Sequence, residues 1–86
     1  MSHIAFDKGG EANVVAIDGE RITLQSTISS PPGSPLAGSL QGMNPGTPIR
    51  IKVHGCRREG DGFRIEGRVI DMTRDLRTAL AALLAS

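Results

Sequence analysis

The stretch Ile49–Ala85, IRIKVHGCRREGDGFRIEGRVIDMTRDLRTALAALLA, decides how the chain is read. Its first part alternates. Ile49, Ile51, Val53 and Gly55 fall on one face and Arg50, Lys52, His54 and Cys56 on the other, the period of a half-buried strand. Phe63, Ile65, Gly67 and Val69 repeat the pattern beyond Gly60-Asp61-Gly62, so the two runs read as an antiparallel hairpin. With those three residues as the turn, Val53 opposes Val69 and Gly55 opposes Gly67, which pairs inward positions with inward positions. Two opposed glycines leave a gap that lets strands coil strongly or another element approach. From Thr73 the period changes to 3.6. Thr73 suits an N-cap, Asp75 suits the positive end of the helix dipole, and Leu76, Leu80, Leu83 and Leu84 make one apolar stripe. This predicts an amphipathic helix over 74–85, which must pack on the sheet or on a second copy of itself.

Toward the N-terminus, ANVVAI leads into Asp18-Gly19, a hairpin-turn dipeptide. ERITLQSTI then alternates, with Ile22, Leu24 and Ile28 inward and Arg21, Thr23, Gln25 and Thr27 outward. Ser30–Pro48, SPPGSPLAGSLQGMNPGTP, is too rich in proline for a central strand throughout. It predicts an edge strand near Leu36–Gln41 flanked by turns, with a disordered linker as the alternative. Residues 1–12 read as a flexible arm, anchored at most by Ile4, Ala5 and Phe6. The expectation is an all-β fold over 13–86: a small antiparallel barrel, closed or nearly closed, with its helix over one opening or side. The expected core is Ile22, Leu24, Ile51, Val53, Phe63, Ile65, Val69, Leu76, Leu80 and Leu83.

Composition narrows the function. Eighty-six residues make one domain, and with Phe6 and Phe63 as the only aromatics the core is aliphatic. Ten Lys and Arg against nine Asp and Glu give a net charge of +1, without the strong field of a general nucleic-acid binder. Cys56 is the single cysteine, so no internal disulfide forms and a Cys-based zinc site lacks ligands; a reducing, cytoplasmic setting fits. MSHIAFDKGG has no apolar run of a secretory signal, and ALAALLA is far shorter than a membrane span, so no membrane insertion is expected.

No catalytic set stands out, and neither a metal nor a cofactor is expected. His54 and Cys56 lie two residues apart on one strand face, roughly 7 Å, but no carboxylate cluster or phosphate loop accompanies them. The basic hairpin is more informative. Arg50, Lys52, Arg57, Arg58, Arg64 and Arg68 are the candidate ligand- or partner-binding residues, with Arg58 and Arg64 nearly opposite each other. Opposed like charges are mildly destabilising unless an anion lies between them. Three readings stay open: side chains splayed into water, a phosphate-bearing ligand gripped by guanidinium forks, or an acidic protein partner.

The short strands, the proline stretch PPGSPL and the closing FRIEGRVIDMTRDLRTALAALL together resemble the PilZ domain, in which a six-stranded antiparallel barrel is followed by a helix. Ile70-Asp71, Arg77, Leu80 and Leu84 fit that family's C-terminal half, and the resemblance covers residues 13–85. Members that bind cyclic di-GMP carry Arg-x-x-x-Arg before the barrel and Asp/Asn-x-Ser-x-x-Gly in the first strand region. Here the arm offers Lys8 and no arginine, while Asn13 is followed by Val15 in the serine position and Asp18 in the glycine position. With both motifs missing, the resemblance implies a degenerate PilZ-like barrel acting as a protein-interaction or oligomerisation module in bacterial signalling or motility. This non-enzymatic adaptor is the leading expectation, with a protein partner and a homodimer through the helix as its contacts, and without cyclic di-GMP in the usual mode. The competing reading is a nucleotide or nucleic-acid binder using the basic hairpin Arg57–Arg68. The nucleic-acid form is the weaker, since single-strand platforms stack bases on aromatic rings and only Phe63 lies nearby.

Overall fold

The computed structural model describes residues 3–41 and 47–85, with side-chain surroundings as far as residue 82. Six strands, β1 (His3–Phe6), β2 (Glu11–Asp18), β3 (Arg21–Ser26), β4 (Pro35–Gln41), β5 (Thr47–Glu59) and β6 (Gly62–Ile70), precede one helix, α1 (Arg74–Ala85). The strands close into an antiparallel barrel in the order β1-β2-β3-β6-β5-β4, with β4 returning to β1. The fold class expected from the alternation is therefore the one observed. The helix also lies over the expected residues. Its N-cap is Thr73, whose Oγ1 accepts from the Leu76 amide at 3.1 Å and whose carbonyl accepts from Arg77 at 2.9 Å. Leu76, Ala79 and Leu80 are buried in the common core, with α1 packed against β5.

The core follows the inward positions. Ile22, Leu24, Ile51, Val53, Ile65, Val69, Leu76 and Leu80 are buried as expected. Phe63 has the inward parity but sits near the hairpin tip, where it is only half-buried. The side chains of Leu83 and Leu84 lie outside the described residues, as do Met43 and the rest of 42–46.

Two segments differ from their sequence reading. The residues expected as an arm, 1–12, contain β1 and the start of β2 within 3–12. Ile4, Phe6 and Ala12 join the core, and β1 pairs with both β2 and β4. Two alternating apolar residues carry almost no local signal, and the strand exists because both neighbours present open ladders. For the same reason β4 is not an edge strand: it is paired on both sides, with Pro35 at its first position where a missing amide costs least. At its centre Gly38 admits no side chain, because a Cβ there would run into the backbone carbonyl of Ala5.

The β5–β6 register also differs. The turn is shorter than expected, with Glu59 opposite Gly62 and Gly60 at φ +61°. Between Val53 and Gly55 the register shifts, leaving His54 as the extra residue of a β-bulge. Above the bulge Ile51, not Val53, opposes Val69, and Val53 opposes Gly67. Below it, Gly55 opposes Glu66 and Cys56 opposes the buried Ile65. The bulge restores inward-to-inward pairing that the shorter turn would otherwise break. It moves Gly55 to the outer set and Cys56 to the inner one, where the thiol is half-buried. The glycines are thus not opposed. Of these two, only Gly67 is sterically required: a Cβ would lie 2.5 Å from the Lys52 carbonyl oxygen and 2.7 Å from Ile51, whereas at Gly55 it would meet nothing within 4 Å.

Candidate functional site

Strand order brings charged residues together that lie far apart in sequence. On the outer face of β3, β6 and β5, Arg21 pairs laterally with Arg68, and Arg68 with Lys52. Two residues along, Thr23 pairs with Glu66 and Glu66 with Gly55; two further on, Gln25 pairs with Arg64 and Arg64 with Arg57. The face is therefore a set of rows across the strands: three cations with Asp18 of β2 beside Arg21 at their end, then small or acidic residues, then Arg64 and Arg57 beside Gln25. A second bulge, at Val15 in β2, sets Ala16 beside Thr23 and extends the middle row.

Several of these cations are tied to carboxylates. Arg68 Nε donates to Glu20 at 2.8 Å; Glu20 sits in the β2–β3 turn, and its own carbonyl accepts from the Val69 amide at 2.8 Å. Arg50 Nη1 reaches Asp71 at 3.4 Å. Arg64 lies 3.6 Å from Glu66 and 3.9 Å from Glu59, and its buried Nε makes no hydrogen bond. These exposed or half-exposed pairs contribute little to stability. Among the described residues, Arg21, Lys52, Arg57 and Arg58 form no ion pair.

The six residues singled out from sequence do not form one cluster. Lys52 and Arg68 share one row and Arg57 and Arg64 another, so Arg64 opposes Arg57, not Arg58. Arg58 stands opposite Phe63 near the hairpin tip, and Arg50 lies opposite Ile70 on the far side of Lys52. Arg21 belongs to the face, although sequence reading placed it only among the outward residues of its own strand. Nothing local reveals that β3 runs beside β6. His54 and Cys56 do not converge: the bulge leaves His54 exposed and sets Cys56 against Ile65. No group of three or more His, Cys, Asp or Glu among the described residues could hold a metal ion.

His54 borders two shallow depressions. One of about 340 Å³ is shared with Arg21, Thr23 and Glu66; the other, of about 450 Å³, is shared with Lys52, Arg68 and Glu20. A third, of about 240 Å³, lies between Arg57, Arg64 and Glu66. Together they form an open, corrugated surface of mixed charge. No described helix is long and apolar enough to cross a membrane. The chain matches no family model, no curated protein and no solved structure.

Proposed function

We propose that the chain is a non-enzymatic, cytoplasmic PilZ-like adaptor of bacterial signalling or motility, acting through protein contacts and not through cyclic di-GMP in the usual mode. The six-stranded closed barrel and its C-terminal helix agree with the architecture the resemblance implies. The observation that carries the reading is the interleaving of charge. Arg50, Arg64 and Arg68 each face a carboxylate of the same surface, and the remaining cations are spread along rows instead of converging on one point. A phosphate clamp needs several donors aimed at one oxygen cluster. A broad face of alternating charge suits a protein surface, where complementarity sets partner choice and encounter rate.

The competing reading, a nucleotide or nucleic-acid binder, draws on the direct opposition of Arg57 and Arg64. Calorimetric titration with cyclic di-GMP separates the two. The adaptor gives no saturable heat, whereas micromolar or tighter binding, lost in an Arg64→Glu, Arg68→Glu variant that still folds, overturns the proposal. The adaptor reading further expects a protein partner whose affinity falls as salt rises, because exposed charges are screened within about 8 Å at physiological ionic strength.

A further inference from the structure

The outer face of β3, β6 and β5 holds three direct oppositions of like charge: Arg21 with Arg68, Arg68 with Lys52, and Arg57 with Arg64. Such pairs disfavour a sheet unless an anion is shared between them. Glu20 holds Arg68 and Asp18 pairs laterally with Arg21 in the first row, and Glu66 and Glu59 lie 3.6 and 3.9 Å from Arg64 in the second, so that among the described residues Lys52 and Arg57 face a like charge without a carboxylate of their own. The rows stand apart as two walls, since Arg64 and Arg68 are four residues apart along β6, about 13 Å. Between them run Ala16, Thr23 and Gly55, side chains too small to fill the space, with Glu66 in the middle and the bulged His54 at one side.

We propose that this trough docks an extended, carboxylate-rich segment of a partner protein, lying across the strands between the two cation walls. The inference rests on the adaptor reading and names the partner's chemistry. In an extended chain successive side chains point to opposite sides. Glutamates or aspartates therefore reach alternately toward Arg21, Arg68 and Lys52 on one side and toward Arg64 and Arg57 on the other. A single phosphate touches one wall only, because the walls stand about 13 Å apart. Single-stranded nucleic acid fits less well, because it gains its affinity from stacking on aromatic rings and the face presents none: the nearest, Phe63, has inward parity and is half-buried. Arg64 is suited to changing partners, since both its carboxylate neighbours lie beyond good hydrogen-bonding distance.

The test uses the full chain and a fluorescently labelled peptide of ten glutamates, with binding followed by anisotropy at low and physiological salt. Wild type binds saturably. An Arg21→Glu, Lys52→Glu variant, which breaks no ion pair among the described residues, weakens binding by about tenfold or more. An Arg74→Glu, Arg77→Glu variant makes the same change of net charge on the helix, outside the three strands that form the walls, and weakens it by less than about threefold, since these charges line neither wall and exposed charges are screened in salt. Glu66→Gln removes the competing carboxylate and tightens binding, a gain that damage to the fold would not produce. Equal loss in the two double variants, no effect of Glu66→Gln, or no peptide binding by wild type overturns the trough and leaves the adaptor reading standing. A ten-residue deoxythymidine strand bound more tightly than the peptide likewise overturns it. Saturable heat with cyclic di-GMP is the separate result that removes the adaptor reading itself.

Discussion

Replacing Gly67 by Ala tests the bulged register of the β5–β6 hairpin directly. Gly67 stands opposite Val53, where the strand displaced by the His54 bulge crowds β6. An added Cβ lies 2.5 Å from the Lys52 carbonyl oxygen and 2.7 Å from the Ile51 side chain, both well inside van der Waals contact. The carbonyl belongs to backbone in a paired strand and cannot swing aside, so β5 and β6 must separate locally. Overpacking of this kind costs about 1–3 kcal/mol. For a domain of this size each kcal/mol lowers the melting midpoint by about 4–8 °C. Gly55→Ala is the internal control, because its Cβ meets nothing within 4 Å. It leaves stability unchanged or raises it by about 0.4–1 kcal/mol through the less flexible unfolded chain. Urea unfolding followed by circular dichroism reads both variants, and the slope should stay constant while the midpoint moves. If Gly67→Ala leaves the midpoint where it is, or if Gly55→Ala costs as much, the register described here is wrong. A simple unbulged pairing with Gly55 opposite Gly67 predicts similar behaviour for the two positions.

Two further outcomes concern the helix and the core. Thr73→Ala removes the cap on the Leu76 amide and costs about 1 kcal/mol, while Thr73→Ser retains most of it; equal thermal midpoints for Ala and wild type would refute the cap. Leu76→Ala empties a fully buried site between α1 and the barrel and costs about 2–5 kcal/mol, a large share of the roughly 5–15 kcal/mol that holds a domain together. Phe63→Ala, at a half-buried position, costs less than Leu76→Ala in the same denaturant titration, and the reverse order would move the core toward the hairpin tip.

Elements with a long, regular period were legible in the sequence. β3, β5, β6 and α1 each repeat their pattern over several residues, and Thr73 marks the change from two to 3.6 because a hydroxyl there completes the first turn. β1 was not legible, since Ile4 and Phe6 alternate once and then give way to Gly9 and Gly10. Its conformation comes from Leu40 and Gly38, more than thirty residues away. The bulge at His54 was equally hidden. A single extra residue leaves no trace in composition, yet it exchanges the faces of Gly55 and Cys56. The candidate face was half visible for the same reason. Hairpin partners could be read from the turn between them, but the neighbourhood of Arg21 and Arg68 depends on which strands the barrel sets side by side.

The four residues of β1 carry a burden out of proportion to their number. While they are in place, neither β2 nor β4 offers that part of its backbone to another molecule. When they detach, Gly38–Gln41 becomes a row of unpaired donors and acceptors, the template on which strands from other chains add. In the closed barrel that row is filled by His3–Phe6, with Ile4 and Phe6 buried in the core and Gly38 giving the clearance that the Ala5 carbonyl needs. Closure of the whole barrel therefore depends on these four residues, since losing them would open the ladder to β2 and the ladder to β4 at once.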